Sequence, residues 1–203
     1  MKKILVGLLL VSSALSFAAT QRVPLEKLGT RGNGIILYLE GQEKPYSGEV
    51  ERKYPNGKLL GVATMKDGKL NGKAYEYYES GQLKLEENYA NGKNNGLSKS
   101  YYENGKLRSE ENYINGKLNG ISKSYYENKQ LQDEIPYKND KKEGIEKSYD
   151  EKGKLIGTIT FENDQIMEET TYKDGKIIDR KAYPLGKDLE NELLKNITPW
   201  QFH

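Results

Sequence analysis

Tyrosine and leucine residues recur through the middle of this chain at a fixed period of 24 residues, with short polar runs between them. The clearest copy runs from Gly96 to Asn119, GLSKSYYENGKLRSEENYINGKLN, and similar segments precede and follow it. A fixed period of this length indicates a tandem repeat array, in which each unit packs mainly against its neighbours. The leading residues of the five full copies are Gly48, Gly72, Gly96, Gly120 and Gly144. A truncated copy follows at residues 168–183, so the predicted array spans residues 48–183.

Each copy carries two turn signals, which in the third copy are Asn104-Gly105 and Asn115-Gly116. Asn-Gly between alternating runs favours a two-residue type I′ turn, because both central residues of that turn need positive φ. With two such turns per copy, the sequence predicts an all-β fold: an elongated, single-layer antiparallel β-meander built from tandem hairpins. The cross-strand pairs that follow are Tyr102–Leu107, Lys99–Glu110, Tyr113–Leu118 and, in the next copy, Lys123–Glu134.

Side chains of a strand alternate between the two faces of a sheet, so this register assigns each residue to a face. The first face is defined by Tyr102, Leu107 and Tyr113, which are separated by serine and glycine. The second face is defined by the charged residues Lys99 and Glu110. We predict that the first face forms the stacking spine of the array and that the second face is solvated.

A second tyrosine column occupies position six of the repeat, counting the leading glycine as position one: Tyr77, Tyr101, Tyr125 and Tyr149. In the predicted register this column points to the second face, beside Lys99 and Lys123. Because tyrosine is enriched at interfaces, we predict that these six residues form a partner-binding patch. Two alternatives stay open: tyrosine is simply favoured in strands, or a local bulge turns Tyr149 onto the first face.

The two ends of the chain differ from the array. Residues 1–18 combine two lysines, a short apolar run and small residues before Ala18, which predicts a secretory signal peptide cleaved after Ala18. The apolar run is too short for a membrane anchor, so we expect export to the periplasm, the cell surface or the medium. Residues 19–47 are predicted to be a polar lead-in with a first strand at Ile35–Leu39.

The segment 184–203 carries apolar residues every four positions, at Leu189, Leu193 and Ile197. This spacing predicts a short helix that caps the array, either at the last sheet edge or on the first face. Repeat arrays need such caps because an open edge strand invites aggregation.

Composition limits the possible functions. The chain has no cysteine, which excludes disulfides and thiolate metal sites. Removing the signal peptide removes two of the 32 basic residues and none of the 30 acidic ones, leaving a formally neutral chain. Nucleic-acid binding requires a net basic surface, so we expect no nucleic-acid partner. The neutral charge also disfavours a membrane-surface partner.

No catalytic constellation is visible in the sequence. The only histidine is the terminal His203, and Glu86, Glu110 and Glu134 recur at the repeat period. Successive copies would lie about 10 Å apart on an open ribbon, whereas catalysis needs an enclosed pocket. We therefore expect no catalytic, cofactor or metal site, and a protein that is not an enzyme.

Residues 101–120 show the pattern Tyr-Tyr-x-Asn-Gly-x-Leu-x-x-Glu-x-x-Tyr-x-Asn-Gly-Lys-x-x-Gly, which is repeated across residues 48–167. This pattern resembles the bacterial variant of the MORN (membrane occupation and recognition nexus) repeat. The resemblance implies an elongated β-hairpin array that serves as a protein-binding or scaffolding module. Related bacterial proteins sometimes carry a toxin–antitoxin label, which implies an antitoxin-type partner binder as an alternative. A membrane-surface or phospholipid-binding module is the other alternative that the family implies.

Overall fold

The computed structural model describes residues 22–30 and 36–183, and its regular structure there is almost entirely β. The one exception is a three-residue 3₁₀ helix, η1, at Leu25–Lys27. The strands are β1 Val23–Pro24, β2 Leu28–Thr30, β3 Leu37–Leu39, β4 Gly48–Lys53, β5 Leu59–Lys66, β6 Lys69–Tyr77, β7 Leu83–Ala90, β8 Lys93–Asn94, β9 Gly96–Tyr101, β10 Leu107–Ile114, β11 Lys117–Leu118, β12 Gly120–Tyr125, β13 Leu131–Lys138, β14 Lys141–Lys142, β15 Gly144–Tyr149, β16 Leu155–Glu162, β17 Gln165–Lys173 and β18 Lys176–Ala182. The predicted signal peptide and C-terminal helix lie outside the described residues.

Sixteen of the strands form one sheet, whose main path is β1-β4-β5-β6-β7-β9-β10-β12-β13-β15-β16-β17-β18. From β4 onward each strand pairs antiparallel with the next strand on this path, and β8, β11 and β14 are two-residue extensions of the hairpins. The predicted all-β meander of tandem hairpins is confirmed, and β17 with β18 forms the hairpin predicted for the truncated copy.

The second turn of the repeat has the predicted geometry. Asn115 and Gly116 have φ values of 53° and 83°, as a type I′ turn requires, and Tyr113 pairs with Leu118. Asparagine tolerates positive φ better than most residues with a side chain, which explains its place before the glycine.

The prediction for the first turn is wrong. Only Gly105 of the Asn104-Gly105 pair has positive φ, at 79°. The Gly105 N–H donates to the Tyr102 carbonyl at 2.9 Å, and the Tyr102 N–H donates to the Lys106 carbonyl at 2.8 Å. These bonds close a three-residue loop, a type I turn followed by a left-handed glycine. The Asn104 side-chain oxygen stabilises it by accepting the Lys106 N–H at 3.0 Å.

This loop changes the register beside it. Leu107 pairs with Tyr101 rather than with Tyr102, so the predicted Tyr102–Leu107 pair is wrong. A bulge between Leu107 and Ser109 then restores the register, and Lys99 pairs with Glu110 as predicted. In each copy from the second to the fifth, the leucine at position twelve therefore pairs with the tyrosine at position six. The pairs are Tyr77–Leu83, Tyr101–Leu107, Tyr125–Leu131 and Tyr149–Leu155.

The edge of the ribbon that carries the first turns, here named the tyrosine edge, is bonded across repeats by the position-seven tyrosines. Each hydroxyl donates to the position-six carbonyl of the next copy, 23 residues along the chain. The bonds are Tyr54 to Tyr77 at 2.7 Å, Tyr78 to Tyr101 at 2.7 Å, Tyr102 to Tyr125 at 2.7 Å and Tyr126 to Tyr149 at 2.9 Å. These side chains thus join each repeat to the next.

The opposite edge, here named the asparagine edge, carries the type I′ turns and is bonded across repeats by the backbone. The Gly116 N–H donates to the Asn94 carbonyl at 2.7 Å, and the Asn115 N–H donates to the Asn95 side-chain oxygen at 3.0 Å. The Gly92 N–H makes the equivalent bond to the Leu70 carbonyl at 2.7 Å. Each turn is therefore anchored on the preceding repeat.

Residues 22–30 and 36–47, which precede the array, form more regular structure than the predicted polar lead-in. β1 pairs parallel with β4, β2 pairs with β3, and the Leu37 N–H donates to the Gly68 carbonyl at 2.9 Å. Of the predicted first strand Ile35–Leu39, residues 37–39 form β3. A cavity of about 400 Å³ remains here, with Val50 and Met65, each 4% exposed, in its wall. This segment caps the first edge of the sheet, and the two best-buried apolar side chains of the described residues, Val50 and Met65, are found there.

Candidate interaction face

The centre of the second face is a ladder of six charges with strictly alternating sign. Successive strands place these residues directly beside one another in the order Glu86, Lys99, Glu110, Lys123, Glu134, Lys147. The alternation arises because the two strands of each repeat contribute one lysine and one glutamate, and the 24-residue period repeats the pair. We refer to these six residues as the charge ladder.

Within the ladder, the predicted Lys99–Glu110 and Lys123–Glu134 pairs are confirmed. Their nitrogen–oxygen distances are 2.9 Å and 3.5 Å. The hydrogen bond from Lys99 holds the pKa of the Glu110 carboxyl below its ordinary value, and the same bond raises the pKa of Lys99. The lysine side chains are 35% and 39% exposed, so both pairs remain partly solvated.

The position-six tyrosines lie beside this ladder. The Tyr125 hydroxyl donates to Glu110 at 3.2 Å, and the Tyr149 hydroxyl reaches Glu134 at 3.5 Å. These contacts keep Tyr149 on the second face, so the bulge does not turn it onto the first. Burial is the main cause of the raised pKa of Tyr125 and of Tyr149.

The structure brings the six predicted patch residues onto one face but leaves them less open than an isolated binding patch. Tyr77, Tyr101, Tyr125 and Tyr149 are all half-buried and each pairs with a leucine. Lys99 and Lys123 are paired with glutamates. Part of the tyrosine column is thus explained by sheet packing, and any partner would meet a charge-paired surface.

A row of exposed aliphatic residues on the same face is a feature that the predicted patch missed. Leu97, Ile121 and Ile145 occupy position two of three consecutive copies and are 42%, 56% and 53% exposed. Each lies two residues before a ladder lysine and therefore shares its face. We call these three residues the aliphatic row. The signal was visible in the sequence, since an apolar residue directly follows the leading glycine in these copies.

The first face is built differently. The Tyr113 hydroxyl donates to Glu111 at 2.7 Å, and the Tyr89 hydroxyl donates to Glu87 at 2.9 Å. Burial, reinforced by the glutamates, raises the pKa of Tyr89 to about 12 and that of Tyr113 further. Ser100 and Ser109 share a hydrogen bond of 2.6 Å between their hydroxyls. These polar groups satisfy one another, which makes this face a structural one.

Residues 22–30 and 36–183 contain neither a metal-ligand cluster nor a membrane-spanning helix. No group of three or more potential metal ligands comes together there. No helix in the same ranges has the length and apolar character needed to cross a bilayer. The terminal His203 lies outside the described residues.

Comparison with protein families identifies the repeat. The family model described as MORN repeat variant matches five consecutive segments, at residues 46–67, 70–91, 94–115, 118–139 and 142–163. Together these segments make up more than half of the chain. None of the curated proteins compared with the chain matches it.

One solved structure, named "Crystal structure of GtfA/B complex bound to UDP and GlcNAc", aligns with 83% of this chain at 11% identity and a TM-score of 0.18. The alignment covers 31% of that other chain. A likeness of this size supports no conclusion about fold or function.

Proposed function

Because this chain belongs to the MORN repeat variant family, we propose that it is an exported, non-enzymatic module that binds a protein partner through the second face of its ribbon. Repeats of this family suggest proteins that bind other proteins or membranes. Export rests on the signal-peptide pattern of residues 1–18.

The observation that carries the proposal is the aliphatic row. Leu97, Ile121 and Ile145 each leave more than two-fifths of their surface in solvent, on the same face and at one level of three consecutive repeats. Exposed apolar side chains that recur at one level of a single face offer apolar surface for a partner to cover. The half-buried tyrosines and the charge ladder lie on the same face, which gives the surface an apolar and a polar part, as protein interfaces have.

Position-specific photo-crosslinking tests this proposal. A photoreactive residue replaces Ile121 on the second face or, as a matched control, the neighbouring Ser122 on the first face, in the exported chain mixed with envelope extract. We expect a discrete crosslinked protein from position 121 only. The combination of Leu97→Ser and Ile145→Ser should reduce that product. Equal products from both positions, or none from 121, would contradict the proposal.

The charge ladder also bears on the membrane-surface alternative. Anionic lipids attract clusters of lysine and arginine, whereas Lys99 and Lys123 each lie between two glutamates and Lys147 lies beside one. We therefore expect no binding of the exported chain to anionic vesicles at low salt, as measured by flotation. Stable flotation with the vesicles would favour the membrane alternative. An antitoxin-type role would be a special case of protein binding and would appear as a toxin among the products crosslinked from position 121.

A further inference from the structure

We infer that the second face binds the second face of another copy of this chain. The inference rests on the proposed function, because it names a partner for that same face. Its starting point is the order of the charge ladder, which is acid first and base last over six strands. Reversing such a row exchanges every acid for a base, so the ladder is complementary to its own reverse.

A two-fold axis produces this reversal. The axis would run parallel to the strands, between β10 and β12, and midway between two facing sheets. It places Glu110 opposite Lys123 of the second copy, Lys99 opposite Glu134, and Glu86 opposite Lys147. Such an isologous contact uses the same patch twice and closes at two subunits.

Electrostatic repulsion selects this register over its neighbours. A shift of one strand would place lysine opposite lysine and glutamate opposite glutamate along the whole row. Like-charge juxtaposition at an interface is costly, and charged groups fix the register of a contact more than they raise its affinity. The ladder therefore specifies how two copies meet rather than how tightly they bind.

The remaining rows of the second face are compatible with the same axis. The position-six and position-twelve row alternates tyrosine and leucine, so reversal places Tyr101 opposite Leu131 and Tyr125 opposite Leu107. Along the level of the aliphatic row, reversal places Leu97 opposite Pro136, Ile121 opposite Asn112 and Ile145 opposite Asn88. These contacts would cover the exposed aliphatic side chains, and removing their surface from water is the favourable contribution to association.

The size of the face indicates a weak, reversible dimer. Six strands of six residues present a face of about 29 by 20 Å, which corresponds to about 1,100 to 1,200 Å² buried over both copies. Specific interfaces begin at about 1,200 Å². Twisted sheets pack face to face with their strands about 30° apart, which the same axis gives when the strands of each copy are inclined to it by about 15°, so the twist of the ribbon does not prevent the contact. We therefore expect a dissociation constant on the order of 10 µM.

Sedimentation equilibrium with charge-reversed variants tests the inference. The wild-type exported chain should form dimers on raising its concentration to about 100 µM. Lys99→Glu combined with Lys123→Glu makes five consecutive ladder positions acidic, and Glu110→Lys combined with Glu134→Lys makes five consecutive positions basic. Each variant alone should dimerise at least about tenfold more weakly, because like charges now face each other. An equimolar mixture should restore the dimer, since every facing pair is then of opposite sign.

Matched controls separate this effect from misfolding and from net charge. Glu103→Lys combined with Glu127→Lys reverses two exposed charges at the tyrosine edge and should leave dimerisation unchanged. Circular dichroism checks that each variant is folded, and restoration in the mixture excludes unfolding as the cause of any loss.

The outcomes distinguish this inference from the proposed function. A wild-type chain that stays monomeric, or a dimer that the ladder reversals leave intact, overturns the inference. Monomeric wild type together with a different protein crosslinked from position 121 overturns the inference alone and leaves the proposed function standing. Absence of both the dimer and the crosslinked product overturns both.

Discussion

The tyrosine edge and the asparagine edge of the ribbon both join each repeat to its neighbour, yet they use different chemistry for it. At the tyrosine edge the donor is a side-chain hydroxyl, such as that of Tyr102, and the acceptor is a backbone carbonyl. At the asparagine edge the donors are turn amides, such as that of Gly116. The difference teaches that one Asn-Gly dipeptide can serve two turn geometries, and that contacts with the adjacent repeat accompany each.

The largest expected effect comes from removing the tyrosine-edge bonds. Replacing Tyr54, Tyr78, Tyr102 and Tyr126 by phenylalanine removes four hydroxyl-to-carbonyl bonds. At about 1 kcal/mol each, the free energy of unfolding should fall by about 4 kcal/mol. Urea denaturation followed by circular dichroism measures it.

The matched control for this variant is phenylalanine at Tyr77 and Tyr101, whose hydroxyls make no hydrogen bond among the described residues. This double variant should change the free energy of unfolding by less than about 0.5 kcal/mol. A control as damaging as the fourfold variant would show that aromatic packing, and not the hydroxyl bond, joins the repeats at this edge.

Substitutions of asparagine should lower the free energy of unfolding by different amounts at the two turns, and both amounts should be smaller than the loss expected at the tyrosine edge. Asn115→Ala forces alanine to a φ near 53° and should cost about 1–2 kcal/mol. Asn104→Ala removes only two exposed side-chain bonds, one with the Lys106 N–H and one with Glu127, and should cost about 0.5 kcal/mol. Asn115→Gly should restore most of the stability lost with alanine, because glycine accepts positive φ freely. Equal costs for alanine at the two positions would refute the turn assignment.

High pH should reduce the stability that the buried tyrosines near the asparagine edge contribute to the fold. Burial raises the pKa of Tyr89 to about 12 in the folded chain, while a tyrosine in the unfolded chain titrates near about 10. The folded state thus holds the proton more tightly, so this contribution is fully present below about pH 10 and is lost as pH rises towards 12. Denaturation midpoints should fall across this window, and less so in a Tyr89→Phe, Tyr113→Phe variant. An identical decline in both proteins would contradict the assignment.

Substitutions in the charge ladder, midway between the two edges, should have the smallest effect on stability. Lys123→Met removes a partly solvated ion pair with Glu134 and should change the free energy of unfolding by about 0.5 kcal/mol or less. In high salt the wild type and the Lys123→Met variant should become equally stable, because salt screens the ion pair. A loss larger than that caused by Asn115→Ala would mean that the ladder, rather than the edges, holds the repeats together.

Much of this architecture could be predicted from the sequence. The period, the type I′ turn at Asn115-Gly116 and the Lys99–Glu110 pair all follow from local pattern and alternation. The first turn could not be assigned, because Asn-Gly fits both a two-residue turn and a three-residue loop with a terminal glycine. Assigning a two-residue turn paired Leu107 with Tyr102 instead of Tyr101. It also concealed that the Tyr102 hydroxyl bonds to the next repeat.

The candidate site was predictable to a lesser degree. Alternation placed Tyr101, Lys99 and Lys123 on the correct face, but it could not show that these side chains are half-buried and paired. The hydroxyl bond of Tyr102 was invisible for another reason: its acceptor lies 23 residues away, at a distance that only the assembled register brings into contact.

Amide hydrogen exchange tests most directly the central claim that every repeat is bonded to the next at the turn itself. Asn115 and Gly116 lie in an exposed turn, where amides ordinarily exchange fast, yet their N–H groups donate to Asn95 and Asn94 of the preceding repeat. The account predicts that both amides exchange as slowly as those of the flanking strands β10 and β11. Exchange at the rate of an open turn would contradict it.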